Sequence, residues 1–163
     1  MKTTKIIASF LFISLIVGLI IGCGSQTVSA DDTYVSIDIN PSIELIVSPR
    51  ERIIYANPLN EDGERLLLEL NLVGKSLDEA MDLMIEKAIE LGFINPDDEE
   101  IFVSMSTINE SEDLGIKMRA RVEKGINEAF MNRGMMGKAV GKEFAPDFVT
   151  EAESYGVTPG FYR

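Results

Sequence analysis

Two runs of alternating side chains meet at Asn40-Pro41, and the proline at their junction limits what this part of the chain can become. From Tyr34 to Val47 the sequence reads YVSIDINPSIELIV. Val35, Ile37 and Ile39 fall on one side of an extended chain and Ser36, Asp38 and Asn40 on the other; Ile43, Leu45 and Val47 then resume the pattern. A period of two is the signature of a half-buried strand. Proline has no N–H and a fixed φ, so it does not sit inside a paired central strand. The stretch therefore predicts two short strands joined by a turn or bulge at Asn40-Pro41.

The same dipeptide has a reaction open to it. An asparagine side-chain nitrogen can attack its own backbone carbonyl, close a five-membered imide and expel the next residue as an amine. Deamidation, the commoner fate of asparagine, needs the next residue's backbone N–H as nucleophile, and proline has none. Asn40-Pro41 thus closes the deamidation route and leaves chain cleavage open. A fold speeds such a step by holding the amide against the carbonyl and by straining the peptide at a turn. Ser36, Asp38 and Ser42 flank the bond and are available to polarise it or to shuttle a proton. Asn-Pro is equally an ordinary turn signal. Asn57-Pro58 and Asn95-Pro96 provide an internal comparison, since each falls at the end of an element and neither has alternating strands on both sides.

The rest of the chain predicts a sheet covered by helices. Pro49-Arg50-Glu51 reads as a turn and Arg52–Ala56 as a third strand, whose Ile53-Ile54-Tyr55 run suggests burial on both faces. Asn57 to Gly63 is rich in turn formers and leads into a short helical stretch over Glu64–Leu70. Ser76 and Glu79 form a capping box for a helix over Leu77–Leu91, with Leu77, Ala80, Met81, Met84, Ala88 and Leu91 on one stripe and Gly92 at its end. IFVSMSTI alternates again and predicts a strand over Ile101–Ile108. Glu112–Met131 reads as a second long helix, interrupted by Gly115 and Gly125. A short strand near Lys138–Phe144 and a last helix over Phe148–Tyr155 complete the reading. Strands first, then helices interleaved with strands, give a single α+β domain: a small, mainly antiparallel sheet covered by two or three helices.

The N-terminus reads as a targeting segment. Met1 to Lys5 is a short basic region and Ile6–Ile21 an uncharged, mostly apolar run. Ile20-Ile21-Gly22-Cys23 resembles a bacterial lipobox, in which residues 1–22 are removed and Cys23 carries the lipid. Residues 23–32 then form a tether and 33–163 the domain. Cys23 is the chain's only cysteine, so an internal disulfide is excluded. A diacylglycerol anchor supplies the two chains that stable attachment needs. This reading expects the protein on the extracytoplasmic face of the cell membrane. Cleavage after Val28-Ser29-Ala30, giving a freely secreted protein, and an uncleaved anchor are the alternatives.

Composition excludes several functions. The chain holds 15 basic and 27 acidic residues, and loss of Lys2 and Lys5 with the signal would make the balance more acidic still. Such a surface repels phosphate backbones, so no nucleic-acid partner is expected. With no histidine, Ser-His-Asp triads and Cys-His pairs are impossible and most zinc sites are removed. No metal or cofactor is expected. The methionines on the Leu77–Leu91 stripe read as core filler.

YVSIDINPSIEL, the strand RIIYANPLNEDGERLL and the helix GKSLDEAMDLMIEKAIELGFI together resemble the extracytoplasmic middle domain of RsgI-type anti-sigma factors of Gram-positive bacteria. The likeness is close over about Thr33–Ile94 and returns at YGVTPGFYR. It implies a domain outside the membrane that cleaves itself at the bond corresponding to Asn40-Pro41, keeps its two fragments associated, and feeds regulated proteolysis of the anti-sigma factor. The family's cytoplasmic sigma-binding domain has no counterpart expected here, because the apolar run begins at Ile6. Three functions follow: a membrane-anchored, self-cleaving sensor or signalling domain; a lipid-anchored binding module for a membrane or cell-wall component, with an inert Asn-Pro turn; and a conventional surface enzyme, for which the sequence offers no site.

Overall fold

The computed structural model describes residues 29, 31–142, 151, 154 and 155. Alternating apolar residues build β1 (Thr33–Asp38), β2 (Ser42–Val47) and β3 (Ile53–Pro58), joined by two tight connections. Two helices follow, α1 (Glu61–Glu69) and α2 (Leu77–Glu90), then β4 (Ile101–Ile108), α3 (Glu112–Asn132) and β5 (Gly137–Lys142). The strands form one sheet in the order β3-β2-β1-β4-β5. All neighbours are antiparallel except β4 and β5, which run parallel as a crossover through α3 requires. The expected α+β class, a small, mainly antiparallel sheet covered by two or three helices, is the observed one, with three such helices among the described residues.

The position of β1 frames the hairpin that it forms with β2. It lies at the centre of the five strands, paired with β2 on one side and β4 on the other. Val35 and Ile37 point into the core beside Leu45 and Ile43, and Met105 lies opposite Ile37 on the other flank. Leu66 of α1, Leu77, Met81, Met84 and Ile85 of α2, and Val122, Ile126 and Phe130 of α3 close the same core. Gly125 of α3 is buried against Met81, where an added Cβ would come within 3.0 Å of Met81 Cγ. The glycine that weakened the helix prediction is thus where α2 and α3 approach each other.

The opposite face of the sheet is polar at its centre. Glu44 is 1% exposed and accepts hydrogen bonds from Tyr34 Oη at 2.8 Å and Asn57 Nδ2 at 3.0 Å. The buried hydroxyls of Ser36, Ser104 and Ser106 beside it have no hydrogen-bond partner among the described residues.

Several expected boundaries move, each for a local reason. β3 extends through Asn57 and Pro58, read from sequence as loop, because Glu44 and Ile43 of β2 pair with them. A register shift between Ile46 and Val47 breaks the alternation at Ile53-Ile54-Tyr55, so Ile53 is buried while Tyr55 is about half exposed; burial on both faces is not what the run encodes. α1 begins three residues earlier than expected, because Asn60 caps it by accepting from Gly63 N at 2.7 Å. Ser76 caps α2 as expected, but Glu79 pairs with Lys75. β5 occupies 137–142 where a strand over 138–144 was expected. The expected helix over Phe148–Tyr155 falls almost wholly outside the described residues, as do the apolar run and Cys23.

Glu51, in the β2–β3 turn, has φ +55°. Arg121 of α3 grips its carboxylate in a fork, at 3.0 Å and 2.7 Å, and reaches Asp78 at 2.9 Å. The Arg121 hydrogen bonds hold the Glu51 carboxyl below its ordinary value.

Candidate functional site

The β1–β2 hairpin closes at the Asp38–Ser42 pair, leaving Ile39, Asn40 and Pro41 as its connection. Ile39 N donates to Pro41 O at 3.0 Å. So short a link forces one residue into an unusual conformation, and Asn40 takes it with φ +52°. Asparagine tolerates this left-handed region better than most residues because its short polar side chain bonds locally. The cost is still on the order of 1 kcal/mol. Pro41 is buried, whereas Asn40 is exposed.

A ring of polar groups surrounds this bond. Asp38 Oδ1 accepts from Asn40 N at 3.2 Å and from Ser42 Oγ at 2.8 Å. Asn60 closes the ring from the other side. Its Oδ1 accepts from Ser42 N at 3.0 Å and from Gly63 N at 2.7 Å. Its Nδ2 donates to Asn40 Oδ1 at 3.3 Å and to Ser42 Oγ at 3.4 Å. Leu59 N adds a backbone bond to Ser42 O at 2.9 Å. The first turn of α1 thereby presses directly on the residue that follows Pro41.

This arrangement separates Asn40 from the other two asparagines that precede proline. Asn57 Nδ2 donates to Glu44 and to Pro58 O, and Asn95 Nδ2 donates to Asp98. The side-chain oxygen of Asn40 is held, while its nitrogen has no hydrogen-bond partner among the described residues. Neither Asn57 nor Asn95 has positive φ. Of the three pairs, Asn40-Pro41 alone combines a left-handed backbone with an uncommitted amide nitrogen.

Of the residues singled out from sequence, Asn40, Pro41, Asp38 and Ser42 come together here. Ser36 does not join them: it pairs with Glu44 and Ser106, about 7 Å along the strand from Asp38 at the usual strand rise, and its hydroxyl has no hydrogen-bond partner among the described residues. Asn60 and Gly63 were read only as part of a turn into a helix. The partner of Asn60 across the hairpin is twenty residues away, and no local periodicity reports it. Among the described residues no cluster of acidic or sulfur side chains is placed to hold a metal ion, and no helix is long and apolar enough to cross a membrane.

The model of the anti-sigma factor RsgI-like central domain matches residues 32–163. Among characterised proteins, the chain is 28% identical to anti-sigma-I factor RsgI7 of Acetivibrio thermocellus over 128 residues, covering 78% of this chain and 23% of the relative. It is 32% identical to RsgI9 of the same organism over 114 residues, covering 66% and 16%, respectively. Anti-sigma-I factor RsgI of Bacillus anthracis is 34% identical over 74 residues, covering 45% of this chain and 17% of that protein. The chain therefore spans less than a quarter of the length of these relatives. With its hairpin, its central β1 and a family match that runs from just before β1 to the last residue, the chain belongs to the anti-sigma factor RsgI-like central domain family.

Proposed function

We propose that this protein is a membrane-anchored extracytoplasmic signalling domain that cleaves its own Asn40–Pro41 bond and acts in the regulation of an anti-sigma system. In this reading residues 1–22 are the signal, Cys23 carries the lipid, 23–32 are a tether and 33–163 the working domain. The observation that supports it is the state of Asn40: left-handed backbone, oxygen held by Asn60, amide nitrogen uncommitted.

In the reaction, Asn40 Nδ2 attacks the Asn40 carbonyl carbon. The new C–N bond closes a succinimide, the C–N bond to Pro41 breaks, and the proton lost from Nδ2 ends on the proline nitrogen as it leaves. Asp38, hydrogen-bonded to Asn40 N and Ser42 Oγ, is the carboxylate placed to relay that proton. Water later opens the imide. Backbone strain and a fixed amide lower the barrier by removing the search for the reactive geometry.

Cleavage would leave β1 attached to the lipid and Pro41–Arg163 attached to β1 only by strand pairing and core contacts. Because β1 is the central strand, its withdrawal splits the sheet into β3-β2 and β4-β5. Separation of the fragments is therefore an all-or-none event suited to signalling. The test is the mass of the full chain purified in detergent, beside Asn40→Ala. A fragment beginning at Pro41 in the wild type and absent from the variant is expected. Intact chains in both would leave a surface binding module with an inert turn as the function.

A further inference from the structure

We infer that Asn60, the cap of α1, is a positioning residue for cleavage at Asn40-Pro41; this rests on the self-cleavage reading above. Its carboxamide is used at both ends. The oxygen accepts from Gly63 N and Ser42 N, which ties the helix start to the residue after the proline. The nitrogen donates to Asn40 Oδ1 and Ser42 Oγ, which spans the scissile bond. An asparagine amide has one oxygen and one nitrogen, and fixing the oxygen of Asn40 decides where its nucleophilic nitrogen can go.

The geometry argues for more than helix capping. Aspartate, serine and asparagine are comparably good caps, and capping needs only the oxygen. The amide nitrogen of Asn60 adds nothing to the cap; both its contacts are to the hairpin. Asn40 belongs to one fragment, while Asn60 and Ser42 belong to the other. The clamp therefore holds the two sides of the bond in register from within the larger fragment, and α1 sits where a change in its first turn would be felt at the reacting amide.

Asn60→Asp separates the two roles. A carboxylate keeps the acceptor for Gly63 N and Ser42 N but has no donor for Asn40 Oδ1, and it repels that oxygen. The experiment follows the appearance of the Pro41 fragment by mass spectrometry in the full chain, for wild type, Asn60→Asp and Asn60→Ala, with the thermal midpoint measured on each in an Asn40→Ala background. The expected result is a wild-type thermal midpoint for Asn60→Asp with cleavage slowed at least tenfold, the scale of one lost orienting hydrogen bond. Wild-type cleavage by Asn60→Asp would overturn the role of Asn60 alone. A wild type that stays intact would overturn the self-cleavage reading, and this inference with it.

Discussion

The carbonyl oxygen of Ser42 lies where a Cβ on residue 63 would come within 2.2 Å of it, so Gly63 is the residue that lets α1 seat against the hairpin. The obstacle is backbone and cannot rotate away. Gly63→Ala should therefore push α1 off the hairpin, costing about 1–3 kcal/mol, as overpacking does. A thermal or urea melt in an uncleavable background measures that cost, and cleavage should slow in parallel because Asn60 moves with the helix. An unchanged midpoint would show that the helix start adjusts freely.

Asn40→Gly and Asn40→Ala should both be uncleaved, yet differ in stability. Glycine adopts φ near +52° without penalty, whereas alanine does not. The glycine variant should be more stable than the alanine one by about 1 kcal/mol in chemical denaturation. Equal stabilities would mean that the turn relaxes once the asparagine is gone.

Fragment association should depend on the core face of β1. Ile37 is 1% exposed and sits between Ile43 and Met105 in the neighbouring strands. Ile37→Ala should remove about 2–5 kcal/mol of packing. If the N-terminal fragment is immobilised after cleavage, Pro41–Arg163 should wash off at least tenfold faster than in the wild type. Unaltered retention would assign the association to contacts outside this strand.

The Arg121–Glu51 fork predicts a specific pH dependence. Hydrogen bonds from Arg121 lower the Glu51 value, so the folded state binds that proton less readily than the unfolded chain does. The stabilisation is fully present above the ordinary carboxylate value of 4.5 and is lost as pH falls through the lowered one. Glu51→Gln should reduce the thermal midpoint by a few degrees or less at pH 7, since the pair is partly exposed to solvent. The difference from wild type should shrink to nothing at the pH where Glu51 of the folded protein is protonated, below that lowered value, because both then carry an uncharged side chain. A difference that persists unchanged to that pH would separate the effect from ionisation.

Much of the architecture was legible because it is written in local pattern. The alternation on either side of Pro41 placed β1 and β2, IFVSMSTI marked β4 to the residue, and Ser76 with the Leu77–Ala88 stripe placed α2. β3 is anticipated over Arg52–Ala56, but its burial and its end differ, because a register shift near Ile46 breaks the period of two and pairing with Glu44 and Ile43 carries the strand on to Pro58. Ser36 looked as near to the bond as Asp38, but a strand carries its side chains in rows, and Ser36 stands one row further from the turn.

By itself, the sequence determined the hairpin, the excluded chemistries and the one asparagine between alternating strands, since each depends on residue type and short-range spacing. Only the tertiary structure decided that β1 is the central strand, that Arg121 reaches Glu51, and that Asn60 closes over Asn40. Those relationships join residues 20 to 74 positions apart, and they exist because burying one face of the sheet under helices brings distant segments together at separations no local period encodes.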